Sequence, residues 1–156
     1  MIKIRHGQKE DLPEILNLIR ELAEYEHALH EVETTTDSME SDAFSDDNPL
    51  FRFIVAEQNS EIIGTAIYFF TYSTWKGKVL YLEDIVMKQK YRRKGIGKLM
   101  FDFLVQIAKT EKVKRMSWQV LDWNEPAINF YKKINATFDT EWINCKLTKN
   151  QIELYT

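Results

Sequence analysis

A chain of 156 residues that is 44% hydrophobic and 13% aromatic can bury a core, which excludes a disordered chain and predicts a single domain over residues 1–156. With one cysteine, Cys145, no internal disulfide can form, and with a net charge of -3 at pH 7 the chain lacks the basic excess of a nucleic-acid-binding protein. No apolar run approaches the roughly 20 residues of a membrane span, and the opening MIKIRHGQKEDL has no signal-peptide core, so a cytoplasmic location and no membrane partner are expected.

Ile2 to Arg5 alternates and predicts a short first strand. Leu12, Ile15, Leu16, Ile19, Leu22 and Ala23 fall at helical spacing, with Pro13 tolerable in the first turn and Asp11 placed as a cap. A shorter helix is expected between Thr34 and Phe44, and Asp46-Asp47-Asn48-Pro49 is turn chemistry. Phe51 to Ala56 and Ile62 to Tyr72 read as strands joined by a turn at Asn59-Ser60, and Val79 to Met87 as a central strand. Ile96, Leu99, Met100, Phe103, Leu104, Ile107 and Ala108 repeat at about 3.6 residues and predict an amphipathic helix. Arg115 to Val120 reads as a strand, Asn124 to Lys133 as a short helix and Phe138 to Leu147 as strand-rich. This order predicts an α/β (α+β) fold with a mixed sheet flanked by helices.

Charge is unevenly spread. Glu31 to Phe51 holds seven acids and no Lys or Arg, whereas Lys88 to Lys98 holds six cations and no acid. Each run reads either as a solvated surface or as a site for an ion of opposite sign. The basic run enters Gly95-Ile96-Gly97 and then the apolar helix directly. A helix start carries unpaired N–H groups and partial positive charge, and glycine lets a ligand approach the backbone, so the combination suits a phosphate. A Walker loop is excluded because Lys98 follows only Gly-Ile-Gly, and a dinucleotide fingerprint because Met100 occupies its third glycine. The alternative is a glycine-bearing turn before a core helix.

Leu82-Glu83-Asp84-Ile85 sets two carboxylates inside an apolar strand, where burial is costly. Alternation sends them to opposite faces unless a bulge re-aims one, so at least one should face a wet cleft. Tyr131 shares a helix face with Ala127 and Ile128 and reads as a core aromatic with its hydroxyl at the surface.

With these features the sequence resembles the GNAT family of N-acetyltransferases. The family's Gln/Arg-x-x-Gly-x-Gly/Ala turn is matched by Arg92-Arg93-Lys94-Gly95-Ile96-Gly97, and its Asn-x-x-Ala-x-x-Phe-Tyr helix by Asn124, Ala127, Phe130 and Tyr131. The likeness covers nearly the whole chain and implies a mostly antiparallel central sheet. It is strongest to the spermidine/spermine acetyltransferase group, through Glu21 to Glu26, Tyr81 to Asp84 and Asp122 to Pro126. Tyr72-Ser73-Thr74-Trp75-Lys76-Gly77 resembles the branch acting on thialysine, since the polyamine branch has Asp where this chain has Ser73. Asn135 stands where the family usually has Gly, a mild departure because Asn also tolerates a left-handed cap.

The resemblance implies an enzyme that binds acetyl-CoA, needs no metal, and acetylates a primary amine directly. It implies that Arg92, Arg93, Lys94, Gly95, Ile96, Gly97 and Lys98 hold the pyrophosphate. Ile85, Val86 and Met87 would pair with the pantetheine arm, and Asn124, Ala127 and Tyr131 would contact the cofactor further along. Glu83 would be the base, through a water, and Tyr131 the acid for the departing thiolate. Tyr25, Glu26, Trp75, Glu83, Asp84, Glu141 and Trp142 would hold a cationic acceptor, carboxylates supplying charge and aromatic faces suiting an ammonium. Cys145 is expected to be a buried small hydrophobe. A homodimer is expected, with exchange near Trp142 to Leu147. The alternatives are a polyamine acceptor, a coenzyme-binding module without transfer, or a nucleic-acid-binding module.

Overall fold

The computed structural model describes residues 1–45 and 48–156, so Asp46 and Asp47 of the expected turn lie outside the described residues. The chain forms two compact units, Met1–Gln119 and Val120–Thr156.

In the first unit, five strands among the described residues form one sheet: β1 (Ile2–His6), β2 (Arg52–Gln58), β3 (Glu61–Ser73), β4 (Gly77–Met87) and β5 (Arg115–Ser117), in that spatial order. The first four pair antiparallel and β5 runs parallel to β4, so the sheet is mixed and mostly antiparallel. Residues 53–56 and 63–68 are buried without alternation. Such runs mean that both faces of the sheet are covered.

Helices α1 (Leu12–Tyr25) and α2 (Thr36–Ala43) supply one part of the cover. Leu12, Ile15 and Leu16 of α1 and Met39 of α2 pack with Phe53, Val55 and Ile67 of the sheet. The longer α3 (Ile96–Thr110) buries Ile96, Met100, Phe101, Leu104 and Ala108, the stripe its period requires. The β2–β3 turn places Asn59 and Ser60 at φ 51° and 63°, the left-handed pair that matches the twist of a two-residue hairpin.

Asp11 does not cap α1 with its side chain. It accepts two hydrogen bonds from the Arg5 guanidinium, at 2.7 and 2.9 Å, and one from the Gln8 N–H at 2.7 Å. A fork of two charged donors offers more than one amide can, so Asp11 is drawn toward β1.

In the second unit, α4 (Glu125–Lys133) is capped by Asn124, whose side-chain oxygen accepts from the Ala127 N–H at 3.3 Å. Asn135 adopts φ 59°, the left-handed cap expected of it. Three expectations fail at this end of the chain. The strand after α3 stops at Ser117 rather than Val120, Phe138 to Leu147 forms no strand, and Cys145 is exposed. Composition alone cannot make a strand, because the ladder needs a neighbour to pair with. A short α5 (Lys149–Glu153), capped by Thr148, was not predicted.

Candidate active site

The centre of the first unit's site is an irregularity in β4. Leu82 stands opposite Tyr68 and Asp84 opposite Ile67, which leaves Glu83 as the extra residue of a bulge. Glu83 is exposed, whereas Asp84 is partly buried. Asp84 lines a cleft of about 260 Å³ with Ile19, Thr34, Met39, Asp42, Phe51 and Ile67. Burial first, then the Glu83 and Glu26 carboxylates, push the Asp84 carboxyl up to about 6. Glu26 follows α1 directly, and burial raises its carboxyl as well. Three of the expected acceptor residues are therefore electrostatically coupled at one place.

Strand β5 pairs with β4 only from Val79 to Tyr81. Beyond Tyr81 only the β3 side of β4 is laddered among the described residues, so Ile85, Val86 and Met87 lie on an edge with no neighbouring strand, where the Met87 carbonyl accepts from Arg92 Nε at 3.2 Å. That edge runs into the basic turn. Arg93 and Gly95 sit at φ 60° and 80°, and Gly95 is the residue before α3. No side chain caps α3 among the described residues, so its first amides remain available to an anion. A Cβ on Gly97 would lie 3.0 Å from Met87 Cε, so the turn packs closely on the open edge.

The six cations divide. Lys88 and Lys90 lie 3.1 and 3.0 Å from Glu61 Oε1, and Lys98 2.6 Å from Asp102 Oδ2. Arg92, Arg93 and Lys94 have no carboxylate partner among the described residues. The Arg92 guanidinium lies 5.3 Å from the centre of the Tyr25 ring, so Tyr25 packs on the basic turn.

Trp75 is not gathered into this site. It occupies the β3–β4 turn and is 79% exposed. Gly77 to Asp84 is seven residues of strand, roughly 23 Å at about 3.3 Å per residue. Ser73 explains the shape of that turn: its hydroxyl accepts from the Trp75 and Lys76 N–H groups at 3.3 and 3.2 Å.

In the second unit Tyr131 is only 6% exposed, and burial pushes its hydroxyl up to about 12. Ala127 and Asn124 form the start of α4, so the spacing of the Asn-x-x-Ala motif is that of a helix cap. Glu141 and Trp142 are exposed in the segment without strands. Among the described residues no group of three His, Cys, Asp or Glu side chains is arranged to hold a metal, and no helix is long and apolar enough to cross a membrane.

Residues 12–136 match the model of the acetyltransferase (GNAT) family. The chain belongs to that family. It is an N-acetyltransferase, and enzymes of this family use acetyl-CoA. It is 44% identical over 141 residues to spermidine/spermine N(1)-acetyltransferase-like protein 1 of Homo sapiens, covering 86% of this chain and 20% of that protein. It is 37% identical over 147 residues to thialysine N-epsilon-acetyltransferase of Mus musculus, covering 89% and 86% of the two chains. Among solved structures, an integron cassette protein of V. cholerae superposes with a TM-score of 0.78 at 22% identity, covering 97% and 95% of the two chains. That likeness shows the fold.

As a GNAT acetyltransferase the chain has two groups that its sequence did not single out. Asp42 shares the Asp84 cleft; its only sequence signal is helical spacing from Met39 within an acidic run. Glu61 gathers Lys88, Lys90 and Tyr91, and nothing local marks it, since its partners are about thirty residues away.

Proposed function

We propose that the chain transfers the acetyl group of acetyl-CoA to a primary amine of a small cationic acceptor, a lysine-like amine such as thialysine in preference to a polyamine. The observation that carries the reading is the open edge of β4 at Ile85 to Met87, leading into an uncapped helix start beside Arg92, Arg93 and Lys94. On this reading the edge pairs with the pantetheine arm and the amides of Ile96, Gly97 and Lys98 meet the pyrophosphate, with Gly95 allowing close approach. Asn124 and Ala127, at the start of α4, contact the coenzyme further along.

Acetyl-CoA supplies the activated thioester. The chain's own residues manage two protons. An alkylammonium has a pKa of about 10.4 and must lose a proton before it can attack. Glu83 was the expected base, yet the carboxyl poised near neutral pH is that of Asp84. We assign the proton to Asp84, with Glu83 beside it raising its basicity and both attracting the cation together with Glu26. Tyr131, still protonated at neutral pH, gives its proton to the departing sulfur.

Because Trp75 lies too far along the strand to meet Asp84 of its own chain, we assign it to the site of a second copy in a homodimer. We also assign Glu141 and Trp142, exposed on a segment that forms no strand among the described residues, to a contact between copies. We propose a cytoplasmic location for the enzyme. The polyamine reading stands second, favoured by the 44% identity to a protein named for spermidine and spermine. A transfer screen over thialysine, lysine, ornithine, spermidine and spermine, reading free thiol, tests the assignment; thiol release with none of these amines would contradict it.

A further inference from the structure

The basic run approaching α3 is folded back on a single carboxylate. Glu61 opens β3, and its Oε1 lies 3.1 Å from Lys88 Nζ and 3.0 Å from Lys90 Nζ. Its Oε2 accepts from the Tyr91 hydroxyl at 2.9 Å. Lys88 Nζ also reaches Glu14 of α1, at 2.5 Å. Both oxygens of one side chain are therefore engaged by the segment that joins β4 to the glycine turn. The contacts continue into the turn: Lys94 Nζ lies 5.3 Å from the centre of the Tyr91 ring, and Arg92 donates Nε to the Met87 carbonyl at 3.2 Å.

We propose that Glu61 is a positioning residue for the coenzyme: by holding Lys88, Lys90 and Tyr91 it fixes the path from β4 into the turn and leaves Arg92, Arg93 and Lys94 to the phosphates. This rests on the reading of that turn as the pyrophosphate site. Lys90, Tyr91 and Lys88 together hold the Glu61 carboxyl down at about 2, so the clamp stays ionised throughout the neutral range.

Charge alone gives the opposite sign. Removing the Glu61 charge adds net positive charge beside the turn, which would tighten a phosphate ligand. If Glu61 fixes the chain, its loss leaves the segment to be ordered on binding, and affinity falls.

The test compares acetyl-CoA with acetylpantetheine, which carries the same thioester and no phosphate. In Glu61→Gln the preference for acetyl-CoA, as a ratio of kcat/KM values, is expected to fall about fivefold or more, the size of an ordering cost of one or two side chains. The change should lie in the KM for acetyl-CoA rather than in kcat. An unchanged or increased preference overturns the proposal. Tyr91→Phe deletes one hydroxyl and should move the ratio the same way by less; should Glu61→Gln fail to fold, a wild-type ratio in Tyr91→Phe overturns the proposal in its place. A wild-type enzyme that uses both donors equally well contradicts the pyrophosphate reading itself, and this proposal with it.

Discussion

Asp84 stands opposite Ile67 across β3 and β4, while its neighbour Glu83 has no partner in the ladder. The bulge separates the two acids into different surroundings. One remains in water, and the other is partly buried with its carboxyl raised to about 6. A carboxyl near neutrality can both accept and release a proton at working pH.

The acid limb of the kcat/KM profile should therefore belong to Asp84, with a midpoint near 6 in the wild type. Asp84→Asn should remove that limb and lower the rate by roughly 10²–10⁴-fold. Because the Glu83 charge helps to raise Asp84, Glu83→Gln should keep the limb and move it to lower pH. A profile that loses its limb in Glu83→Gln and keeps it in Asp84→Asn returns the role to Glu83.

The same carboxyl sets a pH dependence of stability. Its ordinary value is 3.8 and its folded value about 6. Below both values it is protonated in both states and contributes nothing. As pH rises between them the unfolded chain ionises first and the folded state loses ground, and above about 6 the full penalty is present. Asp84→Asn should thus be nearly neutral in urea denaturation at acid pH. Above the folded value it should be stabilising, by on the order of 1–3 kcal/mol.

Tyr131→Phe deletes one oxygen and keeps the ring. Coenzyme affinity measured by calorimetry should survive, while kcat falls by about 10²–10⁴-fold. Since burial holds the hydroxyl up at about 12, no alkaline limb from Tyr131 should appear in the neutral to mildly basic range. Near-wild-type turnover in the Phe variant would remove Tyr131 as the acid.

Among the described residues Arg92 and Arg93 lack the carboxylate partners that Lys88, Lys90 and Lys98 possess. Replacing both with Ala should weaken coenzyme binding about tenfold or more, a loss of roughly 1.4 kcal/mol, and reduce its salt dependence. An affinity unchanged in calorimetry would move the phosphates elsewhere.

The strands up to Met87, the hairpin turn at Asn59-Ser60, α3 and its glycine start, and the left-handed Asn135 were all legible in the sequence. Each depends on signals within a few residues: alternation, helical period, or tolerance of positive φ. The bulge at Glu83 was visible only as a possibility, because it is defined by β3, not by β4 itself. Asp11 was misread for a related reason. Its partner Arg5 competes with a local cap, and charge geometry decides. Phe138 to Leu147 is strand-rich in composition, but pairing is a property of two segments. The division of the basic run was hidden in the same way, since Glu61 lies far from Lys88 and Lys90 in the chain.

Acceptor preference tests the central claim most directly. Ser73 closes its turn with a hydroxyl; on the proposed reading the polyamine branch anchors a long polycation with a carboxylate at this position, and this chain lacks that charge. Steady-state kinetics with acetyl-CoA should give a higher kcat/KM for thialysine than for spermidine. A preference for spermidine of tenfold or more, about 1.4 kcal/mol of transition-state discrimination, would contradict the account.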